Sequence, residues 1–405
     1  MRKLIPTALL ACALAAASAP AQGASRITVN GAGFGHGIGL SQYGAYGFAR
    51  RDTGYEEILA HYYRGTELSS AEDRPVRVLL SSSQGSVSMS GAASANGREL
   101  DSRVTYTAKK AGLSRVKLVG KGKTVDTFSA PLRIDSGDGV LNVPGRGRYR
   151  GAIEAAPATF GGISVVNSLS LDDYVKGVVP GEMPTSWSLE ALKSQAVVAR
   201  SYALATDRGG PLFDQYPDTR SQVYKGASAE VASTNRAVEE TAGQILRYDG
   251  KPAVTYYFST SGGKTENVEN VFYGGKPAPY LTSVDDPYDS GSPRHRWKFT
   301  YTRSSLGAKL GGWVKGSFRE VKVVKRGRSP RIVSADVVGS RGKTRVTGAD
   351  LKARLGWYDT WATFNAVSSR SAKPAASASW LGALLRRPGI TGSVSPRPKN
   401  GAIVI

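Results

Sequence analysis

The chain has 405 residues and a formal net charge of +22, from 54 Lys and Arg against 32 Asp and Glu, and 40% of its residues are hydrophobic. This length corresponds to two or three domains, and the apolar content is enough for a sizeable core, so general disorder is excluded. The single cysteine, Cys12, excludes an intramolecular disulfide and a zinc site built from cysteines.

The first residues have the pattern of a secretory signal peptide. Two basic residues precede an apolar run over residues 4–17, and the sequence APA at 19–21 supplies small residues for cleavage. The sequence LLAC at 9–12 is also similar to a lipoprotein cleavage box, but the apolar segment before it would be short. We expect residues 1–21 to be removed and the protein to be secreted.

Removal of this segment takes away two positive charges and leaves a net charge of +20. Outside the cytoplasm, such a charge favours anionic lipid headgroups or cell-wall polymers as partners, and export argues against nucleic acid. Solubility alone is the alternative explanation of the charge.

The mature chain begins with a predicted strand over 26–35, which runs into a Gly-rich loop at 31–39. Helical spacing of apolar residues predicts helices at 41–49 and 56–63. The next segment, 76–163, has short alternating runs broken by Gly, Ser and Asn, which predict an all-β stretch. Its predicted strands are residues 76–80, 86–90, 104–107, 116–119, 132–134 and 140–143.

The strongest helical pattern covers residues 189–205, with Ser188 as the expected N-cap. Its centre is apolar on every side, so the helix is expected to be buried. Gln195 and Arg200 interrupt that apolar body, and buried polar groups need partners, so both are candidates for lining a site.

The remaining chain is predicted to add more sheet and two helices before a tail. The tail, residues 368–405, carries six basic and no acidic residues and suits a disordered tether to an anionic wall or membrane surface. The predicted helices are residues 231–242 and 348–355, and the predicted strands are 244–248, 253–259, 297–301, 320–325 and 332–338.

Glu182 is the carboxylate most suited to acid–base chemistry, because it lies in the apolar, proline-flanked segment VVPGEMP at 178–184. Desolvation there would raise its pKa and keep it protonated, as a general acid requires. The alternative is a carboxylate that only caps the following helix. Ordinary glycosidases need a second carboxylate; Asp173, Asp218 and Glu266 are the ones to consider, and none stands close in sequence.

Other reactive patterns fail on their spacing. The sequence GGKT at 262–265 has Phe258 where a P-loop needs Gly, and no Gly-x-Ser-x-Gly elbow is present. The three histidines, His36, His61 and His295, lack metal-ligand spacing, so no metal and no cofactor is expected. The Gly-rich loop around His36 is either a tight connection or a loop whose backbone approaches a ligand.

Together, several long motifs resemble the SpoIID/LytB family, that is, stage II sporulation protein D and its amidase-enhancer relatives. The resemblance covers most of residues 27–367. The matching stretches are LDDYVKGVVPGEMP at 171–184, EALKSQAVVARSY at 190–202, SQVYKG at 221–226, SGGKTE at 261–266 and GHGIGLSQYGA at 35–45.

In that family the Gly-His-Gly block normally closes the domain, whereas here it comes first, so the chain resembles a circular permutation. We expect the strand near 27–30 to lie beside the one near 363–367, which would bring His36, Ser41 and Gln42 back to Glu182.

The resemblance implies an α+β fold: a mixed, mostly antiparallel sheet domain with a buried central helix carrying the active-site loop, plus a β-rich subdomain. The implied division is a signal peptide at 1–21, an N-terminal Gly-His-Gly segment at 22–75 that completes the core, the β-rich subdomain at 76–163, a SpoIID-like catalytic core at 164–367 and the basic tail at 368–405.

The resemblance also implies a cell-wall-associated lytic transglycosylase that cleaves peptide-stripped peptidoglycan strands to 1,6-anhydro-N-acetylmuramic acid ends. Glu182 would act as general acid and base, so that no second carboxylate is needed. The implied substrate-binding residues are Arg200, Gln195, Gln222, Tyr224, Ser261, Glu266, His36, Ser41 and Gln42.

Some relatives carry a Cys and a His before the Gln-Val-Tyr motif and bind zinc, but Arg220 and Ser221 stand there in this chain, so a zinc site is expected to be absent. The second hypothesis is a non-catalytic peptidoglycan-binding enhancer of a cell-wall amidase.

Overall fold

The computed structural model describes residues 26–71, 74–272 and 275–367. The predicted signal peptide and basic tail lie outside the described residues. No helix within those ranges is both long and apolar enough to span a lipid bilayer.

The N-terminal part forms one long strand, two short helices and two further strands. Ser41 begins the first helix as its N-cap, because its hydroxyl accepts a hydrogen bond from the Gly44 N–H. The elements are β1 (Arg26–Ala32), β2 (Leu40–Ser41), α1 (Gln42–Ala49), α2 (Tyr55–Tyr62) and β3 (Glu67–Ser70).

The β-rich stretch forms where it was predicted, with more strands than the pattern indicated. All of its strand pairs are antiparallel, and they form a six-stranded, a four-stranded and a two-stranded sheet. Its strands are β4 (Val76–Gln84), β5 (Ser86–Met89), β6 (Ser94–Ala95), β7 (Arg98–Glu99), β8 (Tyr106–Lys110), β9 (Arg115–Gly120), β10 (Lys123–Ser129), β11 (Leu132–Asp135), β12 (Leu141–Val143), β13 (Gly147–Tyr149), β14 (Ala152–Pro157) and β15 (Ile163–Leu169).

The helical centre follows. The predicted buried helix is confirmed as α4, although Ser188 makes no side-chain capping bond. The predicted strand at 253–259 shrinks to two residues, because Val254 N–H bonds to the Tyr280 hydroxyl and the Thr255 hydroxyl bonds to a carbonyl of α4. The elements are α3 (Leu171–Glu182), α4 (Leu189–Ala205), α5 (Ala232–Glu239), β16 (Gln244–Tyr248), β17 (Lys251–Pro252) and β18 (Tyr257–Phe258).

The last part is a meander of strands with two helices. Sequence patterns missed α6 and β22, because α6 has no apolar stripe and β22 carries Lys and Arg on one face. The elements are β19 (Arg296–Thr302), α6 (Arg303–Leu310), β20 (Phe318–Arg326), β21 (Ile332–Gly339), β22 (Gly342–Thr347), α7 (Gly348–Leu355) and β23 (Ala362–Val367).

The sheets confirm the predicted α+β class, since nearly every strand pair is antiparallel and the exception is the short pair of β2 with β18. The predicted neighbour of the first strand is also confirmed. In antiparallel register β1 pairs with β23, from Arg26 opposite Val367 to Gly31 opposite Ala362. The two ends of the described chain therefore meet in one sheet.

The hydrophobic interior divides at a different place from the predicted domain boundaries. One core gathers α1 to α5 and the β-rich sheets, including residues from Ile38 to Val284. A second, smaller core lies among β1, β19, α6, β20 to β23 and α7, and includes Trp297 and Trp357. We call residues 296–367 together with β1 the C-terminal module, and the rest of the described chain the body.

Candidate active site

Glu182 is the last residue of α3. The sequence had predicted that it lies in a loop. Ser170 is the N-cap of this helix, because its hydroxyl accepts a hydrogen bond from the Asp173 N–H. The helix ends at Glu182 because Met183 precedes Pro184, and a residue before proline disfavours helical geometry. Met183 is extended, with φ −122° and ψ 150°.

The Glu182 carboxyl is enclosed, with 2% of the residue exposed. Burial raises its pKa to about 7, while the Val223 N–H, which donates to Oε1 at 2.6 Å, acts in the opposite direction. The nearby Tyr257 hydroxyl also lowers this pKa but completes no hydrogen bond with Oε2, which lacks a partner within the described ranges. The carboxyl is therefore half protonated near neutral pH, with one oxygen free to give or take a proton.

A chain of buried hydrogen bonds holds the surroundings of this carboxyl. Gln222 accepts a hydrogen bond from the Tyr174 hydroxyl at 3.0 Å and donates one to the Tyr257 hydroxyl at 3.1 Å. The Tyr224 hydroxyl donates to Asn167 at 2.6 Å, and its ring stacks on Tyr174. Because the interior is close-packed and these polar groups have partners, the floor under Glu182 is rigid.

The N-terminal segment returns to this floor, as predicted for Ser41 and Gln42. The Gln42 amide donates to the backbone oxygen of Glu182 at 3.1 Å and to Gln195 Oε1 at 3.2 Å. The Ser41 hydroxyl accepts a hydrogen bond from the Ser261 N–H at 3.2 Å. Residues far apart in sequence thus meet at the end of α3.

His36 does not join this group, because β18 separates it from Glu182. Successive side chains of an extended segment point to opposite sides. The rings of Tyr256 and Phe258 contact His36, at 5.9 and 5.3 Å between centroids, whereas the Tyr257 side chain faces Glu182. Burial lowers the pKa of His36 to about 3, with the charge of Lys352 adding to the effect, so the imidazole is neutral.

Arg200 has no exposed surface with which to bind a sugar, which corrects the prediction that it lines a groove. Its guanidinium forms an ion pair with Asp172 at 2.7 Å and donates to the backbone oxygens of Gln244 and Val238. It ties α3 to α4 and α5 within the core.

Glu266 also has a structural role, because its carboxylate accepts hydrogen bonds from other parts of the same chain. It accepts from the Arg328 N–H, from the N–H and hydroxyl of Ser329, and from Asn270. These bonds join the body to the C-terminal module. The sequence had instead predicted that Glu266 binds a sugar.

The other predicted substrate-binding residues, Gln195, Gln222, Tyr224, Ser261, Ser41 and Gln42, are all buried as well. Their side chains make hydrogen bonds within the interior and offer almost no exposed surface to a ligand. Sequence reasoning recognised buried polar residues but could not tell which side of the backbone each side chain faces.

The partly exposed surface beside Glu182 is aromatic, and sequence reasoning missed it. Tyr46 stacks on Trp187 at 4.5 Å between centroids, and Tyr43 meets Trp187 edge-on at 4.8 Å. Their hydroxyls and the Trp187 Nε1 make no hydrogen bond to any described residue. Their positions in the sequence could have identified them, because Trp187 lies five residues after Glu182 and Tyr43 follows Gln42. We call Tyr43, Tyr46 and Trp187 the aromatic cluster.

Neither Asp173 nor Asp218 joins Glu182 as a second carboxylate. Asp173 lies 3.8 Å from Arg150 at the other end of α3, and Asp218 forms an exposed ion pair with Arg220.

Instead, two further carboxylates, Asp286 and Asp289, lie buried behind α1 and were not predicted. The Tyr62 hydroxyl donates to Asp286, and the Ser261 hydroxyl donates to Asp289. Burial, with the adjacent charge of Asp289, raises the pKa of Asp286 to about 6.

Within residues 26–71, 74–272 and 275–367, no group of three or more His, Cys, Asp or Glu side chains could hold a metal ion. His61 contacts the backbone oxygen of Asp285 at 2.8 Å, and His295 lies 2.8 Å from the carboxylate of Asp289. The three histidines are thus engaged in separate places.

Residues 159–248 match the family model described as SpoIID, Stage II sporulation protein. This range includes α3, Glu182 and α4. The chain is 34% identical to stage II sporulation protein D of Bacillus subtilis over 208 residues, which cover 47% of this chain and 59% of that protein. It is 42% identical to the amidase enhancer of Bacillus subtilis over 136 residues, covering 33% and 18% of the two chains.

An uncharacterized protein of Brachyspira hyodysenteriae is 44% identical over 123 residues, or 30% of this chain and 33% of that one. The chain therefore spans from a third to about 60% of the length of the first curated relatives that it matches.

Proposed function

We propose that this chain, whose residues 159–248 match the SpoIID family model, is a peptidoglycan lytic transglycosylase that acts through Glu182 without a metal ion. Its role is related to the cell wall, and the proposed substrate is the peptide-stripped glycan strand. One observation supports the proposal most: in the matched domain, a single enclosed carboxyl has a pKa of about 7 and one oxygen without a partner.

The proposed reaction begins with the protonated form of Glu182. The carboxyl gives its proton to the glycosidic oxygen that leaves N-acetylmuramic acid, and the bond from C1 to that oxygen breaks. The carboxylate then takes the proton of the 6-hydroxyl of the same sugar while O6 bonds to C1, which closes the 1,6-anhydro ring. Glu182 ends protonated, and no water is consumed.

The surroundings of Glu182 suit this sequence of steps. A pKa near neutral serves both proton transfers, because the same group must act first as an acid and then as a base. The bond from Gln42 to the Glu182 backbone fixes the end of α3. Glu182 Oε2 is buried in this structure. Binding of the glycan would therefore have to separate α1 from the segment that follows α3, so that the glycosidic oxygen can reach Oε2.

We place the sugars on the aromatic cluster beside that contact. Tyr and Trp rings combine an apolar face with a polar edge, as a pyranose ring also does. The partly exposed rings and unpaired polar atoms of the cluster make it a suitable floor for the strand. The protein would meet this substrate outside the cytoplasm, which agrees with the expected signal peptide.

The test is mass spectrometry of purified, peptide-free glycan strands after incubation with wild type, Glu182→Gln and Asp173→Asn. Wild type should release ends with 1,6-anhydro-N-acetylmuramic acid, with or without chelator. Glu182→Gln should lower the rate by about 10²- to 10⁴-fold, the usual contribution of general acid–base catalysis. Asp173→Asn makes the same chemical change at the start of the same helix and should retain activity.

Cleavage by Glu182→Gln at the wild-type rate would contradict the role of the carboxyl. Similarity to the amidase enhancer favours the second candidate, a non-catalytic protein that binds peptidoglycan and stimulates a wall amidase. No cleavage by any variant, together with faster release of stem peptides from peptidoglycan by an N-acetylmuramoyl-L-alanine amidase when Glu182→Gln is added, would support that candidate.

A further inference from the structure

The positive charge of the chain is concentrated in its last third. Residues 26–295 contain 30 Lys and Arg against 28 Asp and Glu, an excess of only two. Residues 296–367 contain 16 against four, an excess of twelve in 72 residues. Thirteen of those sixteen cationic residues are exposed. Folding of the module therefore buries few of these charges.

Part of this charge lies in an ordered row on the sheet of β20, β21 and β22. One face of the sheet packs Val321, Ala335 and Val337 into the second core. On the opposite face, Lys322 lies across from Asp336, which lies across from Arg345 on the third strand. The side chains of this outer face therefore point away from the core.

Further cations lie on the outer face itself and at the hairpin tip at the edge of the sheet. Lys325 lies near the far end of β20, and Lys343 lies across from Val338. At the tip of the hairpin between β21 and β22, the Arg341 N–H bonds to the Lys315 backbone oxygen at 3.0 Å. Lys315 lies against Gly339 and Gly342, around the edge of the sheet from the outer face. We call this set the basic stripe: Lys315, Lys322, Lys325, Arg341, Lys343 and Arg345.

The acidic residues of this face are too few to neutralise the stripe. Asp336 is held by Lys343 at 3.0 Å and Arg345 at 2.5 Å, and Glu320 is the other carboxylate of β20 and β21 on that side. In the described chain, Lys315, Lys322, Lys325 and Arg341 form no ion pair. These four cations are free to meet an external anion.

We propose that the basic stripe is a docking surface for a phosphodiester polymer of the cell wall, separate from the site at Glu182. Nine residues of β20 extend about 30 Å, which suits an extended chain with repeated charges and not a compact ligand. Each lysine or arginine that meets a phosphate releases a counterion, so the binding depends steeply on salt. The basic tail follows β23 directly in sequence and adds six positive charges.

The surroundings of the stripe favour a polymer over a membrane or a nucleic acid. Val324 is the exposed large hydrophobic residue of the described module, so the stripe has little apolar surface to insert between lipids. Its outer face also presents no aromatic side chain on which bases would stack. Binding to the basic stripe would therefore depend on electrostatic attraction between its cations and the repeated phosphates of the polymer.

The test measures binding of the mature chain, residues 22–405, to poly(glycerol phosphate) over a range of salt concentrations. The stripe variant replaces four cations without ion pairs: Lys315→Gln, Lys322→Gln, Lys325→Gln and Arg341→Gln. Its slope of log affinity against log salt should be about three units shallower, as expected for four lost phosphate contacts on a flexible polyanion. The cleavage of peptide-free glycan should stay at the wild-type rate.

A matched variant changes four exposed lysines of the body: Lys109→Gln, Lys121→Gln, Lys123→Gln and Lys251→Gln. Its slope should stay within one unit of wild type. An equal fall in both variants would show that only net charge matters and would overturn the proposal. Tighter, stripe-dependent binding to phosphatidylglycerol–phosphatidylcholine vesicles or to single-stranded DNA would overturn the choice of partner. Loss of glycan cleavage by Glu182→Gln leaves these outcomes unchanged, so the two proposals fail separately.

Discussion

The body and the C-terminal module use charged groups in opposite ways. In the body, positive and negative residues nearly balance, and several are drawn inside, including Arg200 with Asp172 and the enclosed Glu182. In the module, thirteen of the sixteen cationic residues over 296–367 stay exposed to water. Burial away from water raises the pKa of a carboxyl and suits it to proton transfer. A cation that stays in water can instead attract an anionic partner from a distance.

Arg331 is the most deeply buried cation of the described module, and it joins the two regions. It is 1% exposed, binds Asp359 through two bonds of 2.9 Å, and donates to the backbone oxygens of Ser261 and Lys264 in the body. Of the changes that test this difference between the body and the module, removal of the Arg331 side chain should have the largest effect.

We expect Arg331→Ala to lower the free energy of unfolding by about 3–5 kcal/mol, because it leaves the Asp359 carboxylate buried without its partner. Urea unfolding followed by tryptophan fluorescence measures this change, since Trp297 and Trp357 lie in the second core. Arg103→Ala removes an exposed ion pair and serves as the control, with little change expected. A loss no larger than that of the control would mean that the joint contributes no stability.

The second test uses the pH dependence of stability around Glu182. The folded pKa of about 7 lies above the ordinary value of 4.5, so the folded state favours the protonated form. The stabilising effect is complete below pH 4.5 and is lost as pH rises to about 7. Between pH 4 and pH 8, wild type should lose up to roughly 3 kcal/mol relative to Glu182→Gln.

Chemical denaturation of both proteins at several pH values measures this difference. Asp173→Asn should track wild type, because Asp173 lies at the partly exposed start of α3. Parallel curves for wild type and Glu182→Gln would show that folding leaves the pKa of the carboxyl unchanged, and would weaken its proposed role as an acid.

The smallest effect is expected on the basic stripe. Lys322→Gln and Lys325→Gln should each change the free energy of unfolding by no more than about 0.5 kcal/mol, because exposed residues without partners contribute little to stability. At low salt, the pair should raise the melting temperature slightly, since it relieves repulsion among neighbouring cations. Differential scanning calorimetry at low and high salt measures both changes, and a clear loss of stability would show that these lysines pack against the module.

Local patterns predicted much of the fold. The helix at 189–205, the strand at 244–248 and the helix at 348–355 form with the predicted bounds, because each has strong periodicity or clear end signals. The β-rich stretch was also recognised. The short helix α6 was not, since its sequence has no apolar stripe to distinguish it from a loop.

The site was predicted less completely than the fold. Glu182 was identified because an acidic residue between prolines and apolar residues stands out in any sequence. The predicted return of Gln42 to Glu182 is confirmed, because the Gln42 amide donates to the Glu182 backbone oxygen. Arg200 and Glu266 were misjudged, because a sequence shows that a polar residue is buried but not which buried partner it meets.

By itself, the sequence determined the fold class, the resemblance to its family, the position of the candidate acid and the uneven distribution of charge. These properties depend on residue type and on spacing along the chain, and both can be read directly. Only the tertiary structure decided that β1 closes the sheet beside β23, that His36 lies behind β18, and that aromatic rings form the partly exposed surface beside Glu182. Such facts depend on contacts between residues far apart in sequence, which are fixed by packing of the whole chain and not by any local pattern.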